Sequence, residues 1–461
     1  MSAPTFVDLF AGAGGLSLGL HSAGFRPLLA VESSPLAAET YFRNFIEDSS
    51  EAWTDHLSAP SNDQLRRGLV VGTTESVLNS GLRQRLPARV DLLAGGPPCQ
   101  GFSLAGLRDP ADRRNQLPFE FLAFVRELRP RGVLIENVLG IGLSFSRRPD
   151  EEPALVQLGR ALREMGYFTE ILFVNARHFG VAQNRPRVMV AGLELGLAKQ
   201  RLGRIPTRNG PPEWHSSRPT PSSLLAPLVS SVEVPARAVL GDLDGQGYVF
   251  EANEYPEDLR PARSLRCSEE VGSPLGVNHG LTNHILRSHS SDTRDRFRLI
   301  QQLHAHGIRG NPFALAAKYG DETEGIAAIE EALRGARDQL VVFGGEPAAE
   351  HLPALPDLAA RIYALRSRKH SQRLMDPNKP SQTVVTLPDD LVHYASPRVP
   401  TVRELARLQS IPDSFVFHGK VTTGGDCRVH EVPQYSQVGN AVPPLLAKAI
   451  GLRFRELLEP G

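Results

Sequence analysis

The sequence predicts an α/β protein: an open, largely parallel sheet between helices, interrupted by a long insertion. Short apolar runs of strand length alternate with helix-period segments from residue 5 to about residue 193. The first run is followed by a Gly-rich turn, AGAGG at 11–15, that opens a helix. From about residue 195 the alternation fades, and a capped helical segment marks its return after residue 400.

A chain of 461 residues is long enough for two or three domains. With 41% hydrophobic and 22% charged residues it has the composition of a globular protein with a sizeable core. No apolar run approaches the roughly 18 residues of a membrane span, so no membrane partner is expected. The N-terminus lacks the basic-then-apolar pattern of a signal peptide, and a cytoplasmic location is expected. Cys99, Cys267 and Cys427 show no CxxC spacing, which argues against a disulfide framework or a metal site. Lys plus Arg and Asp plus Glu each number 51, so any surface for a polyanion must be concentrated locally.

Residues 5–10 (TFVDLF) read as the first strand. The turn behind it lets backbone approach a ligand, but it lacks the third glycine of the nicotinamide fingerprint. A second strand, Arg26 to Val31, ends at Glu32, about 20 positions beyond the turn, where nucleotide-binding folds hold ribose hydroxyls. Residues 47–66 are polar and are expected to form an exposed insertion, and 68–72 (GLVVG) a third strand, followed by Thr73 and Thr74. Another buried run occupies 90–94. An amphipathic helix is expected over 117–128, with Phe121, Phe124, Val125 and Leu128 on one face. Val133, Leu134 and Ile135 form a buried strand that ends at Glu136, followed by a helix over 154–165 and strands over 168–174 and 188–191. Pro and Ser crowd 205–235, which reads as a linker or irregular loop, and a mixed-charge helix is expected over 321–339. Residues 401–417 read as one helix, with Thr401 and Glu404 spaced as a capping box and Leu405, Leu408 and Ile411 on its apolar face.

The chemistry centres on residues 95–103, GGPPCQGFS. The glycines and prolines stop the preceding strand and stiffen the turn that carries Cys99. Such a loop lies where open α/β sheets bind ligands, although a buried structural thiol fits the same residues. Glu136 ends a strand level with this loop, and Arg185 and Arg187 flank a proline at the lip of the same sheet. The charged stretch 104–116 reads equally as a lid beside the thiol and as a solvated loop.

GGPPCQGFS resembles the nucleophile loop of the cytosine-C5 DNA methyltransferases. FVDLFAGAGGLSLGL (6–20), ENV (136–138), QNRPR (183–187) and QVGNAVPPLLAKAIG (437–451) follow that family's motifs in order. The resemblance covers 1–193 and about 401–455. It implies a Rossmann-like methyltransferase catalytic domain with an inserted, mostly irregular α+β target-recognition domain. The expected division is 1–195 for the first catalytic part, 196–400 for recognition, and 401–461 for a bracing helix and return segment. S-adenosylmethionine is the implied cofactor, with Phe10, Gly12, Gly14, Glu32, Thr73, Pro98, Leu117 and Asn440 around it. Thr73 stands where the family usually has an acidic residue for the adenine amino group, so that contact is a departure. Cys99 is implied as the nucleophile at C6 of a flipped cytosine, Glu136 as the partner of N3 and the 4-amino group, and Arg187, supported by Arg185, as the holder of O2.

Double-stranded DNA is the implied partner, bound by a monomer, with a restriction or phage-defence system as a candidate associate. Residues 287–298, partly helical, carry Arg287, Arg294, Arg296 and Arg298. Residues 361–379 carry Arg366, Arg368, Lys369 and Arg373, the localised charge that phosphate contacts need. Two other readings stay open. The tRNA-methylating branch of the same fold usually carries a Cys-Phe-Thr element, which is lacking here. A catalytically silent DNA-binding relative would tend to lose the nucleophile that this chain keeps.

Overall fold

The expected apolar runs become seven strands of one sheet in a computed structural model of the chain. They are β1 (Thr5–Leu9), β2 (Arg26–Glu32), β3 (Leu69–Val71), β4 (Leu92–Gly95), β5 (Gly132–Asn137), β6 (Tyr167–Asn175) and β7 (Pro186–Glu194). The structure describes residues 3–87, 89–98, 113–143, 152–203, 224, 233–243, 281–342, 352–369, 371–424, 427 and 431–459. The strand order is β3-β2-β1-β4-β5-β7-β6. β1 to β5 run parallel, and β7 runs antiparallel between β5 and β6. The connection from β6 to β7 is too short for the crossover that a parallel pair needs. The chain winds outward from β1 to β3, then returns to place β4 against β1. That reversal opens a crevice at the carboxyl ends of β1 and β4, where open α/β sheets take ligands.

Helices α1 (Gly15–Ser22), α2 (Pro35–Phe45), α3 (Ser50–Ser58), α4 (Ser61–Arg67), α5 (Thr74–Leu78), α6 (Leu117–Leu128), α7 (Ala154–Glu164) and α8 (Leu195–Leu202) accompany these strands. Helices on both faces explain why strands such as β1 and β4 are buried throughout rather than on alternate residues. The segment 47–66 departs from the expected exposed insertion: it folds into α3 and α4. Trp53 and His56, three apart, share one buried helical face against Phe42, and Leu65 is buried from α4. The polar composition of this stretch concealed a narrow apolar stripe.

Beyond α8 follow α9 (Ala236–Leu240), α10 (Ser291–Ala305), α11 (Pro312–Ala316), α12 (Glu322–Val342) and α13 (Leu355–Ala364). A short parallel pair, β8 (Arg373–Leu374) and β9 (Leu391–Val392), completes this α+β region. Phe297, Leu303, Phe313, Leu358, Ile362 and Val392 form a core separate from that of the large sheet. Helix dominates its described residues more than expected, while nearly all of 205–235 lies outside the described residues.

The chain then returns through α14 (Val402–Leu408), α15 (Gln434–Asn440) and α16 (Pro444–Leu458). The capping box of Thr401 and Glu404 is present. The helix is shorter than expected, however, because Ser410 takes a left-handed φ of 62° and Pro412 follows. Ile411 is still buried, from beyond the helix end. Pro443 and Pro444 likewise separate α15 from α16 within the returning motif. α16 closes on α1 through small residues: a Cβ on Gly19 would stand 2.4 Å from that of Ala447. Phe6, Leu16 and Leu20 share one core with Leu446, Ile450 and Phe454. Among the described residues, no helix is long and apolar enough to cross a membrane.

Candidate functional site

The crevice begins where β1 ends. The backbone turns left-handed at Phe10 (φ 59°), Gly12 (56°) and Gly14 (100°). Glu32, at the end of β2, latches this turn: its Oε2 accepts from Gly12 N at 2.9 Å and its Oε1 from Ser34 N at 2.7 Å. Burial raises the Glu32 carboxyl above its ordinary pKa, and these backbone donors oppose the rise. A Cβ on Gly14 would strike the Phe45 ring at 2.5 Å, whereas one on Gly12 would meet nothing within 4 Å. Bare backbone facing open space beside a strand-end carboxylate is a cradle that fits the ribose and amino-acid parts of S-adenosylmethionine.

Beneath the turn, Asp8 is fully buried. Its Oδ2 accepts from Ser17 Oγ at 2.6 Å, and that hydroxyl lies 3.2 Å from Tyr41 Oη, joining β1, α1 and α2. Asp8 Oδ1 is buried with no hydrogen-bond partner among the described residues. Desolvation pushes this carboxyl up to about 7, against the bond from Ser17. The folded value thus lies above the unfolded one. Its contribution to stability is full below the unfolded pKa of 3.8 and is lost as pH rises through about 7. Asp8→Asn is therefore expected to flatten the stability curve between about pH 4 and pH 7 in denaturant titrations. An unchanged curve would show that Asp8 does not titrate there.

The Thr73 hydroxyl caps α5, accepting from Ser76 N at 3.2 Å. Next to it, Thr74 Oγ1 donates to Glu120 Oε2, across from α6. Gly72 N donates to the Glu32 carbonyl at 2.9 Å, which holds this rim against the end of β2. Glu120, unsuspected in the sequence, thus brings a carboxylate beside the position where Thr73 lacks one. Leu117 opens α6 and is half-buried at its start.

Cys99 lies outside the described residues, but the run that leads to it does not. A Cβ on Gly95 would sit 2.4 Å from the Leu9 carbonyl, so β4 can approach β1 here only as glycine. Asn137 Nδ2 donates to the Pro97 carbonyl at 3.2 Å, and Pro98 is half-buried after it. Asn137 is a residue the sequence reading passed over; its place directly after Glu136 in ENV was the available signal. Glu136 and Arg187 are each 8% exposed. Arg187 Nε lies 2.7 Å from Glu136 Oε1, an ion pair whose N–H is not aligned as a hydrogen bond. The β5–β7 register sets this up, because Asn137 faces Val188, which places Arg187, one residue earlier at the start of β7, beyond the end of β5 and close to Glu136.

Arg185 departs from its expected place at the lip of the sheet. Its guanidinium is buried and donates to the carbonyls of Val384 (2.9 Å), Gly439 (2.8 Å) and Ala441 (3.1 Å). Gln183 and Asn184 tie the same segment to Val384, Gln409 and Ser381. Asn440, between two of the Arg185 acceptors, is exposed at the end of α15.

In the basic stretch, Arg366, Arg368, Lys369 and Arg373 are all exposed. Arg366 stacks over the Tyr363 ring at 4.4 Å, and Lys369 pairs with Asp389. Arg368 and Arg373 have no ion pair among the described residues.

The profile of the C-5 cytosine-specific DNA methylases matches residues 4–456. The chain belongs to that family. The methylase is 28% identical to the type II methyltransferase M.DdeI of Desulfomicrobium norvegicum, over 97% of this chain and 88% of that one. It is 29% identical to M.AgeI of Thalassovita gelatinovora, over 96% and 97%. Mouse DNA (cytosine-5)-methyltransferase 1 is 28% identical over 97% of this chain, which covers 28% of the mouse protein. The fold is shared with a prophage-encoded DNA modification methyltransferase of E. coli, at a TM-score of 0.53 and 20% identity over 99% of both chains. Of the methylase's expected site residues, the structure gathers Phe10, Gly12, Gly14 and Glu32 at one rim and pairs Glu136 with Arg187. Arg185 is turned instead toward the returning segment.

Proposed function

We propose that the methylase transfers a methyl group from S-adenosylmethionine to C5 of a cytosine turned out of double-stranded DNA, through a covalent bond from Cys99 to C6. The observation that carries this reading is the buried Glu136–Arg187 pair beside the Pro97–Pro98 run that leads into Cys99. S-adenosylmethionine supplies an electrophilic sulfonium methyl when bound. Phe10, the glycine turn, Glu32, Pro98, Leu117 and Asn440 would hold it, with Glu120 at the adenine side in place of an acid at Thr73.

The Cys99 thiolate adds to C6 while Glu136 gives a proton to N3 and Arg187 holds O2. That addition makes C5 electron-rich enough to take the methyl group. Loss of H5 to a base then expels the Cys99 thiolate, N3 returns its proton to Glu136, and the aromatic ring is restored. Arg185 is a positioning residue, fixing the strand that carries Arg187. We assign catalysis to 1–195 and 401–461 and target recognition to 196–400. The type II names of the relatives favour a cytoplasmic enzyme in a restriction-modification setting.

Exposed cations at Arg366, Arg368 and Lys369 are assigned to DNA phosphates. Replacing all three by alanine should weaken binding to every DNA sequence alike. It should also flatten the slope of log affinity against log salt by about 0.9 per lost contact. A change of preferred sequence alone would make the stretch a reader of bases. The function itself is tested by incubating the protein with S-adenosylmethionine and either duplex DNA of mixed sequence or tRNA, then measuring 5-methylcytosine by mass spectrometry. The product is expected in DNA; product in tRNA alone would move the enzyme to RNA.

A further inference from the structure

Ile285 and Leu286 are the most exposed large apolar side chains among the described residues, at 67% and 59%. Single exposed aliphatics are ordinary on protein surfaces, but these two are adjacent and the strap around them is pinned at both ends. On the near side, Arg403 N donates to the Asn283 carbonyl at 3.0 Å and Arg403 Nε to that of Thr282 at 3.0 Å. Asn283, at a left-handed φ of 62°, donates to the Phe417 carbonyl at 2.8 Å and accepts from Phe417 N at 2.9 Å. His284 Nδ1 lies 2.9 Å from Thr401 Oγ1. On the far side, Arg287 pairs with Asp389 at 3.3 Å, and Val399 N donates to His289 Nε2 at 3.4 Å. Ser290 then caps α10.

The surroundings are cationic. Asp389 pairs with both Arg287 and Lys369, so the strap and the basic stretch form one continuous surface. Arg294, in the first turn of α10, is exposed and has no ion pair among the described residues. A purely apolar protein partner would have to strip water from these cations, whereas a nucleic acid supplies phosphates for them and stacked bases for the aliphatics.

We propose that Ile285 and Leu286 are an apolar wedge that presses between base pairs of the bound duplex, with the flanking cations on phosphates. Side chains of this kind unstack and kink DNA when inserted at a base step. The proposal rests on the reading that the methylase acts on duplex DNA. Both side chains are mostly exposed and lie outside the buried cores, so replacing them is expected to leave the fold and the cofactor cradle intact.

The test compares the full-length wild-type protein with the Ile285→Ala/Leu286→Ala variant on a duplex carrying the mapped methylation site. 2-Aminopurine beside the target cytosine reports unstacking by its fluorescence. The variant should lose the fluorescence rise and fall about tenfold or more in kcat/KM. Its S-adenosylhomocysteine affinity and melting temperature should match wild type, and Ile285→Leu should restore the signal. Wild-type fluorescence in the alanine variant would overturn the wedge, whether methylation held or fell; a fall would then indicate a contact without unstacking. A wild-type protein that methylates no duplex would fail the functional reading instead.

Discussion

Cys99→Ala is expected to lower methyl transfer to DNA by about 10,000-fold or more, because the step that makes C5 nucleophilic disappears with the thiolate. Affinity for DNA should change by less than about threefold, since the cations assigned to phosphates lie on a different part of the chain. Initial rates with labelled S-adenosylmethionine, alongside a filter-binding titration, separate the two effects. A variant that kept even a hundredth of the activity would mean that Cys99 is a structural thiol and that the nucleophile lies elsewhere.

The second large effect concerns the pair beside it. Glu136→Gln is expected to lower kcat by about 100- to 10,000-fold, the usual range for loss of a positioned proton donor. Arg187→Ala should do similar harm for two reasons. It removes the cation assigned to O2, and it leaves Glu136 charged and unpaired in a buried site. Breaking such a pair from one side costs about 3–5 kcal/mol of stability. The double variant Arg187→Ala/Glu136→Gln discriminates between these contributions. It should recover much of the lost stability, because no buried charge remains, while activity stays low. Recovery of activity together with stability would make the pair a structural brace rather than part of the chemistry.

The sequence carried the sheet and the helix boundaries wherever local chemistry sets them. α6 spans the expected residues because Pro118 suits its first turn, its apolar residues recur at helical spacing, and Arg129 turns left-handed at its end. Apolar spacing alone misled at α14, where the periodic pattern runs on through Ile411 but the backbone turns out at Ser410. In α3, only two residues of a polar stretch are buried, too few for composition to reveal.

Within the site, motif residues were legible and long-range partners were not. Arg185 looked like an exposed cation because its acceptors, at 384, 439 and 441, are about 200 residues or more away in the chain. Glu120 sits among the aromatic residues of an amphipathic helix, where a carboxylate reads as a solvent-facing residue. Only the fold brings it to Thr74. The Asp8–Ser17–Tyr41 chain is invisible for the same reason, since three elements must pack before the bonds exist.

The covalent route is open to a direct measurement. A duplex with 5-fluorocytosine at the mapped target site should form a complex with the wild-type protein that survives denaturing electrophoresis, and only when S-adenosylmethionine is present. Fluorine at C5 blocks the final loss of a proton, so the bond between Cys99 and C6 cannot be released after methyl transfer. The account predicts a band shifted by the mass of the oligonucleotide, absent with Cys99→Ala. Full methylation of ordinary cytosine at that site by the same preparation, with no trapped band on the fluorinated duplex, would contradict it.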